Sequence, residues 1–184
     1  MNVVYVTGNQ NKADYFNTFV GMEVEHMPAD TVEIQSLDLA EVVTTKAKEA
    51  YAQLQRPVLI EDTSMLLKSM GRLPGTFIKW FLEDLKLEGI CRLADQDPER
   101  RAYASAFFAY YDGQEMKLFK GGMNGTIAQT PRGDTGFGWN PIFIPEGYDQ
   151  TMGEMDAEAF ETVYTTIKPF AAVREFLGTL ALKG

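Results

Sequence analysis

At 184 residues, 45% of them apolar and 23% charged, the chain has the size and make-up of one globular domain with a full core. A formal net charge of −9 argues against a general nucleic-acid binder, which needs a basic surface to meet phosphates. Cys91 is the only cysteine, which excludes an internal disulfide and any multi-cysteine zinc site.

No apolar run approaches the ~18 residues of a membrane helix, so no membrane association is expected. The N-terminus enters a strand without a basic leader or a small-residue cleavage site, so no signal peptide is expected and the cytoplasm is the expected compartment. No repeat, low-complexity tract or linker interrupts residues 1–184, which are read as a single domain.

Val3, Val4, Tyr5 and Val6 form a short buried strand that stops at Thr7-Gly8-Asn9. A helix follows over residues 11 to 20, with Tyr15, Phe16, Phe19 and Val20 as its apolar positions. His26, the only histidine, falls between Glu25 and Met27 in a further strand and is expected to be structural. Leu39, Val43, Ala47, Ala50 and Leu54 recur at spacings of three and four, the pattern of a second helix. Pro57 ends it, and Val58 to Ile60 make a short strand running into Glu61-Asp62-Thr63.

Residues 76 to 88 predict a third helix, and RAYASAFFAYY (101 to 111) a central strand. Asp112-Gly113 turns the chain, Met116 to Lys120 return as a hairpin, and a separate strand is expected near Gly125 to Gln129. A last helix starts near Pro169 and runs to about Leu182. The sum is an α/β fold with a mixed sheet, in which ligand sites lie beyond strand ends.

Three stretches carry candidate chemistry. TGNQNK (7 to 12) is not a Walker loop, since it lacks the spacer and the Lys-Ser/Thr ending. Its parts still suit an anion: Gly8 allows close backbone approach, a helix start attracts negative charge, and Lys12 adds a mobile cation. Taken alone, the same residues also fit a plain tight turn.

Glu61-Asp62 at a strand end is the second stretch. Successive strand residues point to opposite faces, so only one of the two carboxylates can enter a given cleft. An acid there holds Mg²⁺ or orients a water, or else caps a helix or turn. The third stretch, GDTGFGWNP (133 to 141), either presents Phe137 and Trp139 to a nucleobase or tucks them into the core. Stacking a base on such a ring contributes ~1–3 kcal/mol. With one His and one Cys, a Ser-His-Asp or Cys-His enzyme is hard to assemble. Carboxylates, lysines, a metal and aromatics instead suit hydrolysis of a phosphoanhydride.

These pieces, in this order, resemble the inosine triphosphate pyrophosphatase family, and most closely its eukaryotic-type branch. The matching stretches are VTGNQNK (6 to 12), PVLIEDTSM (57 to 65), GRLPGTFIKWFLEDLKLEGI (71 to 90), PRGDTGFGWNPIF (131 to 143) and EGYDQTMGEM (146 to 155). The resemblance implies an elongated two-lobed α/β structure with a mixed central sheet flanked by helices, the site in the cleft, and usually a homodimer. It implies that Thr7, Gly8, Asn9 and Lys12 hold a small-molecule triphosphate, with Lys46 and Lys79 adding positive charge. Asp62 matches the catalytic acid, acting with Lys12 and flanked by Thr63. Glu33 and Asp62 are the implied ligands of Mg²⁺ (or Mn²⁺). Phe137, Gly138 and Trp139 would form the base-stacking wall.

Two departures stand out. Asn140, placed here with the substrate-binding residues, follows FGW where the family has Asp. The family also carries a Lys and a Ser-His-Arg tripeptide before its last helix, and the matching positions here are Phe160, Tyr164, Thr165 and Thr166. No Lys or Arg occurs between Arg132 and Lys168. The expected function is therefore a Mg²⁺-dependent nucleoside triphosphate pyrophosphatase, by family default for deaminated purines, with relaxed or shifted base specificity. The alternative is a non-catalytic nucleotide-binding or interaction protein that kept the fold.

Overall fold

The computed structural model describes residues 2–182. Its elements, in chain order, are β1 (Val4–Val6), α1 (Gln10–Val20), β2 (His26–Met27), α2 (Leu39–Leu54), β3 (Val58–Leu67), β4 (Pro74–Gly75), α3 (Ile78–Ala94), β5 (Arg101–Tyr111), β6 (Met116–Ile127), β7 (Phe143–Pro145), α4 (Ala157–Ile167) and α5 (Phe170–Ala181). The sheet has the order β2-β1-β3-β5-β6-β7, with β4 paired to β3. It is mixed, as expected: β1 pairs parallel to β2 and β3, while β4 pairs antiparallel to β3 and β7 antiparallel to β6.

Two compact units divide the chain. The first holds the residues up to Asp62, Ala106–Lys120, and the residues from Lys168 onward; the second holds Thr63–Ser105 and Gly121–Ile167. Strands β3, β5 and β6 each pass from one unit into the other.

In the first unit, α2 begins at Asp38, whose side chain accepts from the Ala40 N–H at 2.9 Å, and ends at Gln55 in the left-handed region. Its apolar stripe packs on alternate residues of the parallel strands: Val43, Ala47 and Ala50 join Val4, Val6, Val58 and Ile60 in one core cluster. The opposite sheet face is aromatic. Tyr5 stacks on Phe16 at 4.2 Å, and Phe16 and Phe108 both meet Phe170 of α5. Helices α1 and α5 pack together there.

In the second unit, Arg100 ties the start of β5 to its neighbours through carbonyls of Ile127, Ala128 and Cys91 and the Asp95 carboxylate. Asp97 accepts two guanidinium bonds and the backbone N–H of Arg101, and despite its burial is held down at about 2, with those bonds outweighing desolvation.

Three expectations need correction. The strand predicted over Val58 to Ile60 runs on to Leu67, because β4 pairs with Met65 and Leu66 and extends the ladder. The third helix continues to Ala94, with a break in helical geometry at Lys86 (φ 58°) near the expected end. The return hairpin strand and the separate strand near Gly125 are one 12-residue strand, β6. Within it, Gly122 sits against the Tyr103 ring, and a Cβ there would collide with it. Residues 157–167, to which the sequence pattern assigns no element, form α4.

Candidate active site

Strand β3 delivers Glu61 and Asp62 mid-strand, and its two-residue period sends them to opposite faces. Asp62 shares parity with Val58 and Ile60 and so lies on the α2 face, where it meets Lys46. Lys46 Nζ is 2.6 Å from Asp62 Oδ2 and 3.2 Å from Glu33 Oε1. Burial pushes the Lys46 ammonium down, but the two carboxylates outweigh it and hold its pKa above the ordinary value. Glu33 comes from the loop between β2 and α2, pinned by Gln53 donating to the Asp30 carbonyl and by the Val32 N–H donating to Glu49, both at 2.6 Å. The structure thus brings together Glu33, Lys46 and Asp62.

Glu61 shares parity with Leu59, the register partner of Tyr5, and lies on the α1/α5 face. Its side chain is 2% exposed, with Oε1 2.7 Å from Lys168 Nζ and 3.6 Å from Lys12 Nζ. Tyr5 Oη donates to Oε2 at 3.1 Å. Burial alone would raise this carboxyl; Lys168 first and Lys12 second overcome it, and the Lys168 and Tyr5 hydrogen bonds add to them, so that it lies at about 2.

That shift sets an acid response. A carboxyl depressed from 4.5 when unfolded to about 2 when folded contributes stability above pH 4.5 that is lost as pH falls towards 2. Melting temperature should therefore fall between those limits, and fall less steeply in Glu61→Gln. Parallel acid profiles for the two proteins would show that Glu61 is not the group responsible.

The turn before α1 is built by its own side chains. Asn9 caps the helix, its Oδ1 accepting from the Lys12 N–H at 3.2 Å, and Thr7 Oγ1 accepts from the Asn9 N–H at 3.1 Å. Gly8 is exposed at the tip, and the Lys12 side chain is 24% exposed. Both residue types expected of an anion site are present, held in a capped turn.

In the second unit, Thr63 is half-buried on β3, and Lys79 is exposed at the start of α3, its ammonium 5.1 Å above the Trp80 ring. The FGW loop is cross-braced: the Thr135 N–H donates to the Gly153 carbonyl, and the Gly153 N–H donates to the Asn140 carbonyl, both at 2.9 Å. Phe137 and Trp139 are half-buried and Gly138 is exposed. Asn140 is 5% exposed, and its Nδ2 has no protein acceptor among the described residues. It lies against Gly136 (φ 78°), where any Cβ would collide with it.

The positions matched to the missing readers lie on α4. Phe160 and Tyr164 are buried and stacked at 5.2 Å, whereas Thr165 and Thr166 face outward and return their hydroxyls to the Glu161 and Thr162 carbonyls. Sequence reasoning missed the Glu61–Lys168 pair, which joins residues 107 positions apart. The signal was a lone lysine between Ile167 and Pro169, at the end of a tract with no other cation.

The mixed α/β sheet carries lysine–carboxylate clusters on both faces of strand β3, beside a capped Gly-containing turn with a lysine. The chain belongs to the Ham1 family, whose profile matches residues 3–176. It is 37% identical over 186 residues to the inosine triphosphate pyrophosphatase of Yarrowia lipolytica, covering 98% of each chain. It is 38% identical to the protein of the same name from Batrachochytrium dendrobatidis, covering 95% of this chain and 93% of the relative. Both relatives are eukaryotic, in line with the expected branch. The solved structure of a HAM1 protein from Coxiella burnetii shares the fold, with a TM-score of 0.80 and 21% identity over the whole of both chains.

Proposed function

We propose that the chain, acting as one domain, is a Mg²⁺-dependent nucleoside triphosphate pyrophosphatase, working in the cytoplasm as a homodimer. The observation that carries this reading is the convergence of Glu33 and Asp62 on one cation, Lys46, in a chain of this family. Its eukaryotic relatives are named inosine triphosphate pyrophosphatases, which makes deaminated purine triphosphates the first substrates to try. No helix among the described residues is long and apolar enough to cross a membrane.

In the reaction, water attacks the α-phosphorus, the bond to the bridging oxygen breaks, and monophosphate and pyrophosphate leave. Asp62 takes the proton of the attacking water. Lys46 holds Asp62 in place, and Lys12, Lys46 and Lys79 offset negative charge on the leaving pyrophosphate. Thr7, Gly8 and Asn9 shape the turn that receives the phosphates, and Thr63 flanks Asp62. Phe137, Gly138 and Trp139 stack the base, with Asn140 bracing their loop.

No cluster of three or more His, Cys, Asp or Glu side chains forms among the described residues. Two carboxylates nonetheless suit Mg²⁺, which takes hard oxygen ligands from one or two acids and completes its shell with water and substrate phosphates. Glu33 and Asp62 already share a single cation, Lys46, which supports the reading that they serve one ion together. When bound, Mg²⁺ or Mn²⁺ supplies Lewis-acid polarisation of the phosphate.

A panel of ribo- and deoxyribonucleoside triphosphates, assayed for pyrophosphate with and without Mg²⁺, tests the proposal. Pyrophosphate should appear only with the metal. Each charged hydrogen bond to a base contributes ~1.5–3 kcal/mol, and α4 presents none at the matched positions. The kcat/KM ratio of inosine to adenosine triphosphate should therefore stay within about tenfold. A thousandfold preference would mean that other residues read the base. Binding without any pyrophosphate release would favour the non-catalytic reading.

A further inference from the structure

Two ammonium groups share the Glu61 carboxylate, and they share it unequally. Lys168 is locked at 2.7 Å with its side chain 6% exposed. Lys12 stands off at 3.6 Å, beyond a normal N–H···O distance, and is 24% exposed. Lys168 owes its place to its neighbours: Ile167 and Phe170 are both buried, and Pro169 starts α5 between them. One carboxylate facing two ammoniums leaves the cluster with one positive charge in excess, and the loosely held member is Lys12.

Were Lys12 the only cation beside Glu61, moving it towards another anion would strand a buried, unpaired carboxylate, a strongly unfavourable state. We propose that Lys168 is a positioning residue: by satisfying Glu61 from the buried side, it leaves Lys12 available to a polyphosphate. The inference rests on the proposed phosphate role of Lys12 and extends the site to a residue outside the matched TGNQNK, Glu-Asp and FGW motifs. It also gives Glu61 a purpose, since the carboxylate keeps Lys12 near the turn while no ligand is bound.

Inorganic tripolyphosphate binding, measured by calorimetry without divalent ions, isolates this effect from hydrolysis. Lys12→Ala should weaken binding, which checks the underlying assumption. Lys168→Met should weaken it about tenfold, and Lys168→Arg should restore most of the affinity. In a Glu61→Gln background, no charge holds Lys12 back, so adding Lys168→Met should change affinity by less than about twofold.

An equal loss in both backgrounds would make Lys168 a direct phosphate contact and overturn the proposal, as would parent-like binding by Lys168→Met. Should Lys168→Met fail to fold, Lys168→Gln, which keeps a hydrogen-bond donor to Glu61 without the charge, takes its place in both backgrounds. In kinetics, Lys168→Met should raise KM with little change in kcat. Failure of the pyrophosphatase reading shows separately, as no pyrophosphate from the parent protein.

Discussion

Asp62→Asn should lower turnover by ~100-fold or more at saturating triphosphate and Mg²⁺, the scale of losing a general base. The substitution keeps the shape of the side chain and its place on β3. It removes the charge that meets Lys46 at 2.6 Å, although Lys46 retains Glu33 at 3.2 Å. The ammonium is therefore not left isolated, and the fold should survive, which near-ultraviolet circular dichroism will check. Glu33→Gln offers the contrast. Its side chain is 49% exposed and reaches Lys46 from a loop, so its loss should raise the Mg²⁺ concentration needed while the saturated rate changes little. Parent-like turnover in Asp62→Asn would move the base elsewhere, and an unchanged Mg²⁺ titration would remove Glu33 from the metal site.

Phe160→Lys should cost ~3 kcal/mol or more of folding stability, because truncating a buried aromatic costs that much before any charge is buried. Phe160 is 5% exposed, stacks on Tyr164 and shares a helix face with Val163 and Ile167. Lysine there loses the stacking and has to carry its ammonium out past that face. Thr166→Arg, exposed on the same helix, should change stability by no more than about 0.5 kcal/mol. Urea titrations of the two variants make the comparison. Equal, small losses would mean that the Phe160 face packs more loosely than its burial indicates. The expected outcome has a bearing on specificity: the matched lysine cannot be restored at this position without damage to the core.

Much of the first unit was legible from residue order alone. The spacing of Leu39, Val43, Ala47, Ala50 and Leu54 marks α2 to its observed limits, and RAYASAFFAYY is β5. Strand parity separated Glu61 from Asp62 in advance, and each carboxylate does have its own lysine on its own face. What parity does not contain is the partner of Glu61, because Lys168 arrives from the far end of the chain and only the packing of α5 on α1 brings it in.

Helix α4 was hidden for a different reason. Phe160, Val163, Tyr164 and Ile167 have full helical spacing, but Thr165 and Thr166 are β-branched and of low helix propensity, which weakens the signal. In β6, Gly122 keeps the strand continuous because the Tyr103 ring occupies the place of its side chain.

The Glu61–Lys168 pair also orders events in time during synthesis. A chain made from its N-terminus completes β1, α1 and β3 long before α5 exists, so Glu61 first has only Lys12 and Tyr5 to meet, and the rings of Tyr5, Phe16 and Phe108 wait without Phe170. Closing that gap joins residues 107 positions apart, a long loop whose entropic cost falls due only at the end. The last helix is therefore the piece that completes the first unit, and a nascent chain halted before Lys168 presents an uncovered aromatic face to whatever chaperones attend it.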